Sequence, residues 1–402
     1  MARKRKKEQT KPRPVSLDAV MQPAVTVPDK GLLTIFIVAK VLIVSTLILA
    51  FSHFDDLHRF NLWNRWHSGE TELDAFYLPF SNWDAQHYLL LADRGYENHP
   101  HSHAFFPLYP ALIAVVRVVL RDIYVSAFTL NVIFSYLFCH VFYHYGRHFL
   151  PVRTAYHALI LLLCYPTAFY LTVLYSEALF LFLLFGFLYF YEVKKSYLSL
   201  LFALLLPLAR GQAVFVAAAL TIVLAIRFFR GKSIDCRYEA CNLATFVAGG
   251  LLYLGIFQVM TGDAFSGIKA QGTFVFGNSL TNIMNPGHFI NYLLSETKGV
   301  FSYTHSLVDK LFVIAALLCI GIVVKAKKPL WLVLYVILIY PVAAMGAGGS
   351  FSRLSLIAAP VLALAVWTAC ARYEKVIYAA GSVCLVVQLY FAGRFALNLW
   401  VG

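Results

Sequence analysis

Twelve apolar stretches follow one another along the chain, beginning near Gly31, Phe105, Tyr124, Ala155, Ser176, Tyr197, Gln212, Leu243, Val308, Leu330, Leu354 and Val376. No other feature narrows the fold as sharply. An apolar run of about 20 residues spans the hydrocarbon of a bilayer. Inside it, only helices and closed barrels satisfy their own backbone polar groups. Of the 402 residues, 60% are hydrophobic and 13% charged, a charged share roughly half that of water-soluble domains. The sequence therefore predicts an all-α polytopic membrane protein. It contains no Walker loop, no glycine-rich dinucleotide turn, no serine nucleophile elbow and no nucleic-acid module.

The formal net charge is +13, and the first fourteen residues hold seven Lys/Arg against one Glu. Residues 1–30 are expected to form a disordered, basic cytoplasmic tail. The apolar run after it starts too late, and is too long, for a cleaved signal. Residues 31–402 are expected to form a single transmembrane domain. It has a first outer loop over 52–122 and a second over 261–306. Seven cysteines, mostly inside apolar segments, imply no disulfide framework. Cys236 and Cys241 lack the second pair that a zinc site would need.

Charge sets the topology. Lys194-Lys195, the cluster from Arg227 to Arg237, Lys325-Lys327-Lys328 and Arg372-Lys375 mark cytoplasmic loops. Counting back from them and forward from the basic tail agrees only if one segment between Asp84 and Arg147 does not cross. Phe105 to Leu120 is short, opens with Pro107 and Pro110, and carries Arg117. It is expected to lie in the outer interface as a juxtamembrane helix, leaving about eleven spans. Twelve crossings would instead put Lys194-Lys195 outside.

On this topology the acids, amides and arginines gather at the outer surface. They include Asp84, His87, His99, His101, His103, Glu177, Arg210, Asp263, Gln271 and Arg353. Such one-sided gathering points to an outward-facing site. Asp84 opens an expected helix over Asp84 to Arg94 that places Asp84, His87 and Tyr88 on one face. Asp84 suits a general base, and equally a helix N-cap. The histidines around His101 have loop-type spacing, and no metal is expected there. Pro166 interrupts a helix and opens backbone toward a cavity. Glu177 beyond it either caps the next helix or reaches the site. Arg210 and Arg353 either snorkel to head groups or clamp a phosphate. Gly348-Gly349 before Arg353 would let backbone approach such a ligand.

The motif Trp83-Asp84-Ala85-x-His87-Tyr88, followed by Gly95-Tyr96 and by Ala104-Phe105-Phe106-Pro107-Leu108-Tyr109-Pro110, resembles the PIG-V mannosyltransferases of GPI-anchor assembly and their prokaryotic relatives. Tyr165-Pro166-Thr167-Ala168-Phe169 to Tyr175-Ser176-Glu177-Ala178-Leu179-Phe180 is similar to the next block. Gly262-Asp263-Ala264-Phe265 to Gln271 and Ser352-Arg353-Leu354 are similar to weaker, later ones. Together the blocks cover about residues 80 to 360.

The resemblance implies a GT-C-type glycosyltransferase fold with juxtamembrane helices in the first outer loop. It implies a sugar donor carried on polyprenyl phosphate, such as dolichyl-phosphate mannose, and a lipid or glycan acceptor. Transfer would be inverting, on the extracytoplasmic or lumenal face, with Asp84 as base. His87, Arg353, Arg210, Glu177, Gln271, Trp83 and His103 are the candidates for binding substrate or phosphate. No cofactor and no nucleic-acid partner are expected. The chain is shorter than the eukaryotic enzymes, its second outer loop is modest, and it is histidine-rich after Gly95-Tyr96. These departures favour a prokaryotic homologue in the cytoplasmic membrane, the ER membrane being the eukaryotic equivalent. A transporter or flippase is the rival reading, but such proteins usually carry internal repeats, and none is evident. A non-catalytic subunit that scaffolds a partner enzyme is the third.

Overall fold

The computed structural model describes residues 30–58, 76–97, 99–273, 282, 284–345 and 350–401. The basic tail, loop residues 59–75, Asn98, Gly348 and Gly349 lie outside the described residues.

Apolar side chains so fill the sequence that helices form almost wherever proline and glycine permit. In chain order they are α1 (Lys30–His58), α2 (Asp84–Arg94), α3 (Leu108–Leu120), α4 (Ile123–Arg147) and α5 (Val152–Leu163). Next come α6 (Glu177–Glu192), α7 (Ser196–Ala209), α8 (Ala213–Phe229) and α9 (Cys236–Thr261). Short helices α10 (Ser266–Thr273) and α11 (Pro286–Leu294) follow. The chain then runs through α12 (Leu307–Lys325), α13 (Pro329–Met345), α14 (Phe351–Leu354), α15 (Ala359–Cys370) and α16 (Glu374–Ala396). No strand forms among the described residues. The protein is an all-α integral membrane protein, as expected.

Length and apolarity alone qualify five helical stretches to cross a membrane: Lys30–His53, Ile123–Arg147, Cys236–Thr261, Leu307–Lys325 and the continuous Ala359–Ala396. That last stretch is not one straight helix. Its first residues come one short 3-10 turn after Arg353. Its far end returns to the same region, where Phe395 packs on Tyr170 and Tyr175. The chain turns at Ala371–Tyr373, beside Arg372. Shorter apolar helices, α5, α7, α8 and α13 among them, supply further wall. Helix length by itself thus accounts for fewer than eleven passes, and the higher number rests on charge parity.

The segment that parity singled out is α3. Its 13 residues reach about 20 Å at 1.5 Å per residue, short of a hydrocarbon core of about 30 Å. Tyr109 at its start packs on Tyr88 of α2, and Arg117 near its end pairs with Asp93 of α2. Arg121 then takes a left-handed conformation, φ +60°, and α4 begins beside Tyr77 and Phe80. Both ends of α3 therefore stay with the first loop. Val115, Val118 and Val119 are exposed on it, so it carries an uncovered apolar face.

Packing follows the chain closely. Helix α6 lies between α4 and α7, α7 packs on α9, α8 on α13, α16 on α1, and α15 between α5 and α12. Helices α7 and α9 touch backbone to backbone at Gly249. A Cβ there would lie 2.3 Å from Leu204 O and 3.0 Å from Pro207 Cγ. In lipid, where apolar burial does not drive helices together, such small-residue contacts carry association. Gly249→Leu is expected to cost about 1–3 kcal/mol, read as a lower thermal midpoint in detergent. An unchanged midpoint would show that the pair can separate freely.

Helix α5 stops at Leu163, three residues before Pro166, because the residue preceding a proline is steered out of helix. The chain stays irregular until Glu177, apart from one 3-10 turn at Ala168–Leu171. Lys40 of α1 answers the opened backbone. It donates to Ser135 Oγ at 2.9 Å and Thr172 Oγ1 at 3.0 Å, and to Leu171 O. Its role is thus to hold the break that carries Tyr170 and Tyr175 toward Asp84.

The two ends of the bundle differ. At one end lie Glu177, Arg210, Asp309 and Arg353. At the other lie Lys194 and Arg227, paired with Glu239 at 3.7 and 3.9 Å, and Lys328 over the Phe149 ring.

Candidate functional site

Four ionised side chains from four separate parts of the chain form one continuous pairing network. Arg353 Nη1 binds Asp84 Oδ2 directly. Arg353 Nε donates to Glu177 Oε1 at 2.7 Å, and Arg210 Nη1 reaches the same oxygen at 2.8 Å. The two acids and two arginines balance in charge. Glu177 is 1% exposed. Burying that carboxylate so deeply is tolerable only with its charge paired; both arginines use Oε1, and Oε2 has no hydrogen-bond partner among the described residues. Asp84 differs, since 28% of its side chain remains accessible. It is the acid of the network that is open to solvent.

Local structure explains each placement. Helix α2 begins at Asp84 as expected, but Asp84 caps nothing with its side chain. The cap position is Trp83, and no side-chain capping bond forms. The carboxylate is thereby left to Arg353. Trp83 sits at φ +56°, a conformation that a bulky residue adopts only when held. Both neighbours hold it. Asn82 Nδ2 donates to Phe395 O at 2.7 Å and Ala396 O at 3.2 Å, meeting carbonyls at the end of α16. Asp84 N–H donates to the Tyr175 hydroxyl at 3.1 Å, and that hydroxyl donates to Asn82 O at 3.2 Å. Tyr88, one turn on, shares a 2.6 Å hydrogen bond with Ser176 Oγ, and Arg210 Nη1 donates to the same hydroxyl at 3.1 Å.

Glu177 lies in the first turn of α6 and, like Ser176 before it, makes no capping bond. Of its two expected roles, the structure shows reach into the charged network. Arg353 lies over the Tyr175 and Tyr170 rings, 4.5 and 5.5 Å from their centroids, which fixes the plane of its fork. Asp309 of α12 accepts from Ser352 N at 2.7 Å and so anchors the turn that presents Arg353. Nothing in its surroundings in sequence marked it for that task.

The other singled-out residues have local partners. His87 Nδ1 is 2.9 Å from Ser102 Oγ, and its ring stacks on Phe105 at 4.5 Å. Burial holds its imidazole below the ordinary histidine range, with the Asp84 charge pulling the other way. His103 Nε2 meets Tyr96 O at 2.8 Å, and Gln271 Nε2 donates to Ala104 O at 2.6 Å. Gln271 and His103 therefore tie α10 and the Tyr96 turn to Pro100–Ala104, and neither joins the charged network. Among the described residues, no group of three His, Cys, Asp or Glu side chains is placed to hold a metal ion. Trp83 faces Tyr303 and Trp400 instead, at 5.9 and 5.2 Å between ring centroids.

A family model described as Mannosyltransferase (PIG-V) matches residues 29–260. Among solved structures, the apo form of the Archaeoglobus fulgidus oligosaccharyltransferase aligns with a TM-score of 0.51 at 14% identity, over 93% of this chain and 57% of that one. The same enzyme in complex with Zn and sulfate aligns with a TM-score of 0.49 at 14% identity, over 92% and 53%. At such identity the likeness is one of fold, here of the GT-C type. This chain spans just over half the length of those proteins. No curated protein matches it.

Proposed function

The chain belongs to the mannosyltransferase (PIG-V) family, and on that premise we propose that it transfers a hexose, mannose by preference, from a polyprenyl-phosphate donor to a lipid or glycan acceptor. The observation that carries this reading is an accessible carboxylate, Asp84, bound to an arginine that a second, buried acid also holds.

In the proposed reaction Asp84 accepts the proton of the acceptor hydroxyl as its oxygen attacks the anomeric carbon. The bond from that carbon to the phosphate oxygen breaks, and the electron pair leaves with the lipid phosphate. Arg353 and Arg210 receive the phosphate, whose oxygens match a guanidinium fork. The donor phosphate thus takes the place of Asp84 on Arg353 and frees the base at the moment the donor is in position. A single displacement inverts the anomeric centre. A double displacement would need a second carboxylate free to act as nucleophile. Glu177 is the acid at hand, and two arginines bind it away from solvent.

Charge supports placing this chemistry on the outer or lumenal face. The opposite end of the bundle carries Lys194, Arg227 and Lys328, and loops rich in Lys and Arg stay in the cytoplasm. Purified protein in lipid nanodiscs, given labelled polyprenyl-phosphate mannose and a membrane glycolipid extract, tests the reading. Label passing to a new lipid or glycan product supports it. Movement of intact donor across a bilayer, or neither event, would make the protein a flippase or a scaffold.

A further inference from the structure

We propose that Trp83, Tyr303 and Trp400 form the subsite for the acceptor, and that the acceptor lays a pyranose ring against them. The inference rests on the reading of Asp84 as the base.

The three rings converge from distant parts of the chain. Trp83 lies 5.9 Å from Tyr303 and 5.2 Å from Trp400, and Tyr303 lies 4.8 Å from Trp400, with interplanar angles of 67°, 81° and 54°. Such tilted, edge-on packing satisfies the ring quadrupoles. Tyr303 is 42% exposed, so the cluster opens outward. Aromatic residues commonly scatter around membrane interfaces. These three instead pack on one another, and one of them, Trp83, immediately precedes Asp84.

Each ring is also held in place. Trp83 has the strained backbone and the two anchored neighbours already described. Trp400 follows α16, and Arg394 Nη2 binds its carbonyl at 3.0 Å while the guanidinium stacks 3.8 Å over the Phe301 ring. Tyr303 rides on a loop closed by Ser306 Oγ to Val300 O at 2.9 Å, Leu307 N to Gly299 O at 2.9 Å and Ser295 Oγ to His305 Nδ1 at 2.7 Å. Rings fixed before the ligand arrives lose little freedom when it binds.

The chemistry of the surface selects the ligand. Three uncharged aromatic rings suit a neutral molecule with an apolar face, and a pyranose has one in its axial C–H bonds. The Trp83 Nε1–H is shut off from solvent and has no acceptor among the described residues. The division of labour is then simple. Arginines take the charged donor, aromatic rings take the neutral acceptor, and Asp84 stands between the two sets.

The test uses the full chain in nanodiscs, with methyl α-mannopyranoside as probe and glycerol as a polyol without a ring face. Saturation-transfer NMR on Asp84→Asn protein measures binding without turnover. The expected result is saturable mannoside binding through the sugar C–H face and none for glycerol. Trp400→Ala and Tyr303→Ala should each raise the mannoside Kd at least about tenfold, while Trp400→Phe retains most of the affinity. In the active protein the same alanine variants should raise KM for the mannoside and leave KM for the donor unmoved. Absent mannoside binding, or equal affinity in the alanine variants, would overturn the proposal. If Trp400→Ala does not fold, Tyr303→Ala on the exposed ring decides. Binding that behaves as expected in a protein that never transfers sugar would keep the subsite and remove the transferase reading.

Discussion

Asp84→Asn is expected to lower transfer by about two to four orders of magnitude, the range over which a positioned base acts. The amide has nearly the same shape and accepts no proton at neutral pH. The loss should fall on kcat, with the donor KM little changed or lower, because the substitution removes a competitor of the donor phosphate for Arg353. The fold should persist. Arg353 keeps its 2.7 Å bond to Glu177, and Asp84 is the exposed member of the network. Single-turnover assays with labelled polyprenyl-phosphate mannose, beside a thermal melt of the same preparation, separate these effects. A variant that transfers sugar at the parental rate removes Asp84 from the chemistry.

Glu177→Gln should do the reverse, damaging the structure first. One carboxylate oxygen serves both arginines, so the change leaves Arg210 facing a neutral amide and Arg353 with Asp84 as its remaining acid. Breaking a buried ion pair from one side costs about 3–5 kcal/mol, a large part of the stability of many proteins. The expected outcome is a marked drop in the thermal midpoint in detergent and poor recovery from the membrane. Arg210→Gln in the same chain should return part of the loss by removing the stranded charge. A melt for Glu177→Gln that matches the parent would mean that water enters the network and the pairing is weak. Asp84→Asn and Glu177→Gln therefore separate the two acids. One change should stop the reaction in a stable protein, and the other should unsettle the protein itself.

Much of this arrangement was legible in the sequence because its causes are local. Apolar runs make helices in lipid whatever lies beyond them. The bounds of Asp84–Arg94, the break before Pro166 and the short extent of Leu108–Leu120 all follow from residues within a turn or two. Asp84, Glu177, Arg210 and Arg353 stood out because ionised groups are costly in so apolar a chain. Their pairing was not legible. Arg353 read as a phosphate clamp, whereas in the structure its fork is shared between two acids, and any phosphate must compete for it. Gln271 and His103 looked like ligands by type and turn out to staple neighbouring turns. Tyr303 and Trp400 gave no signal, since in a chain with 24 Tyr and 34 Phe one more aromatic at a helix end is unremarkable. Asp309 was hidden for the opposite reason. Its partner is a backbone amide, which no side-chain pattern records.

The charged network also dictates a schedule for biogenesis. Asp84 and Arg353 are 269 residues apart, and Glu177 and Arg353 are 176 apart. A chain still emerging from the ribosome must seat Glu177 in the bilayer with Arg210 as its sole counterion, long before the second arginine is synthesised. Until then Asp84 has no arginine to meet, and α16 is not there for Asn82 to fasten. Products of early termination that lack Arg353 would accordingly carry two acids of the network against one arginine.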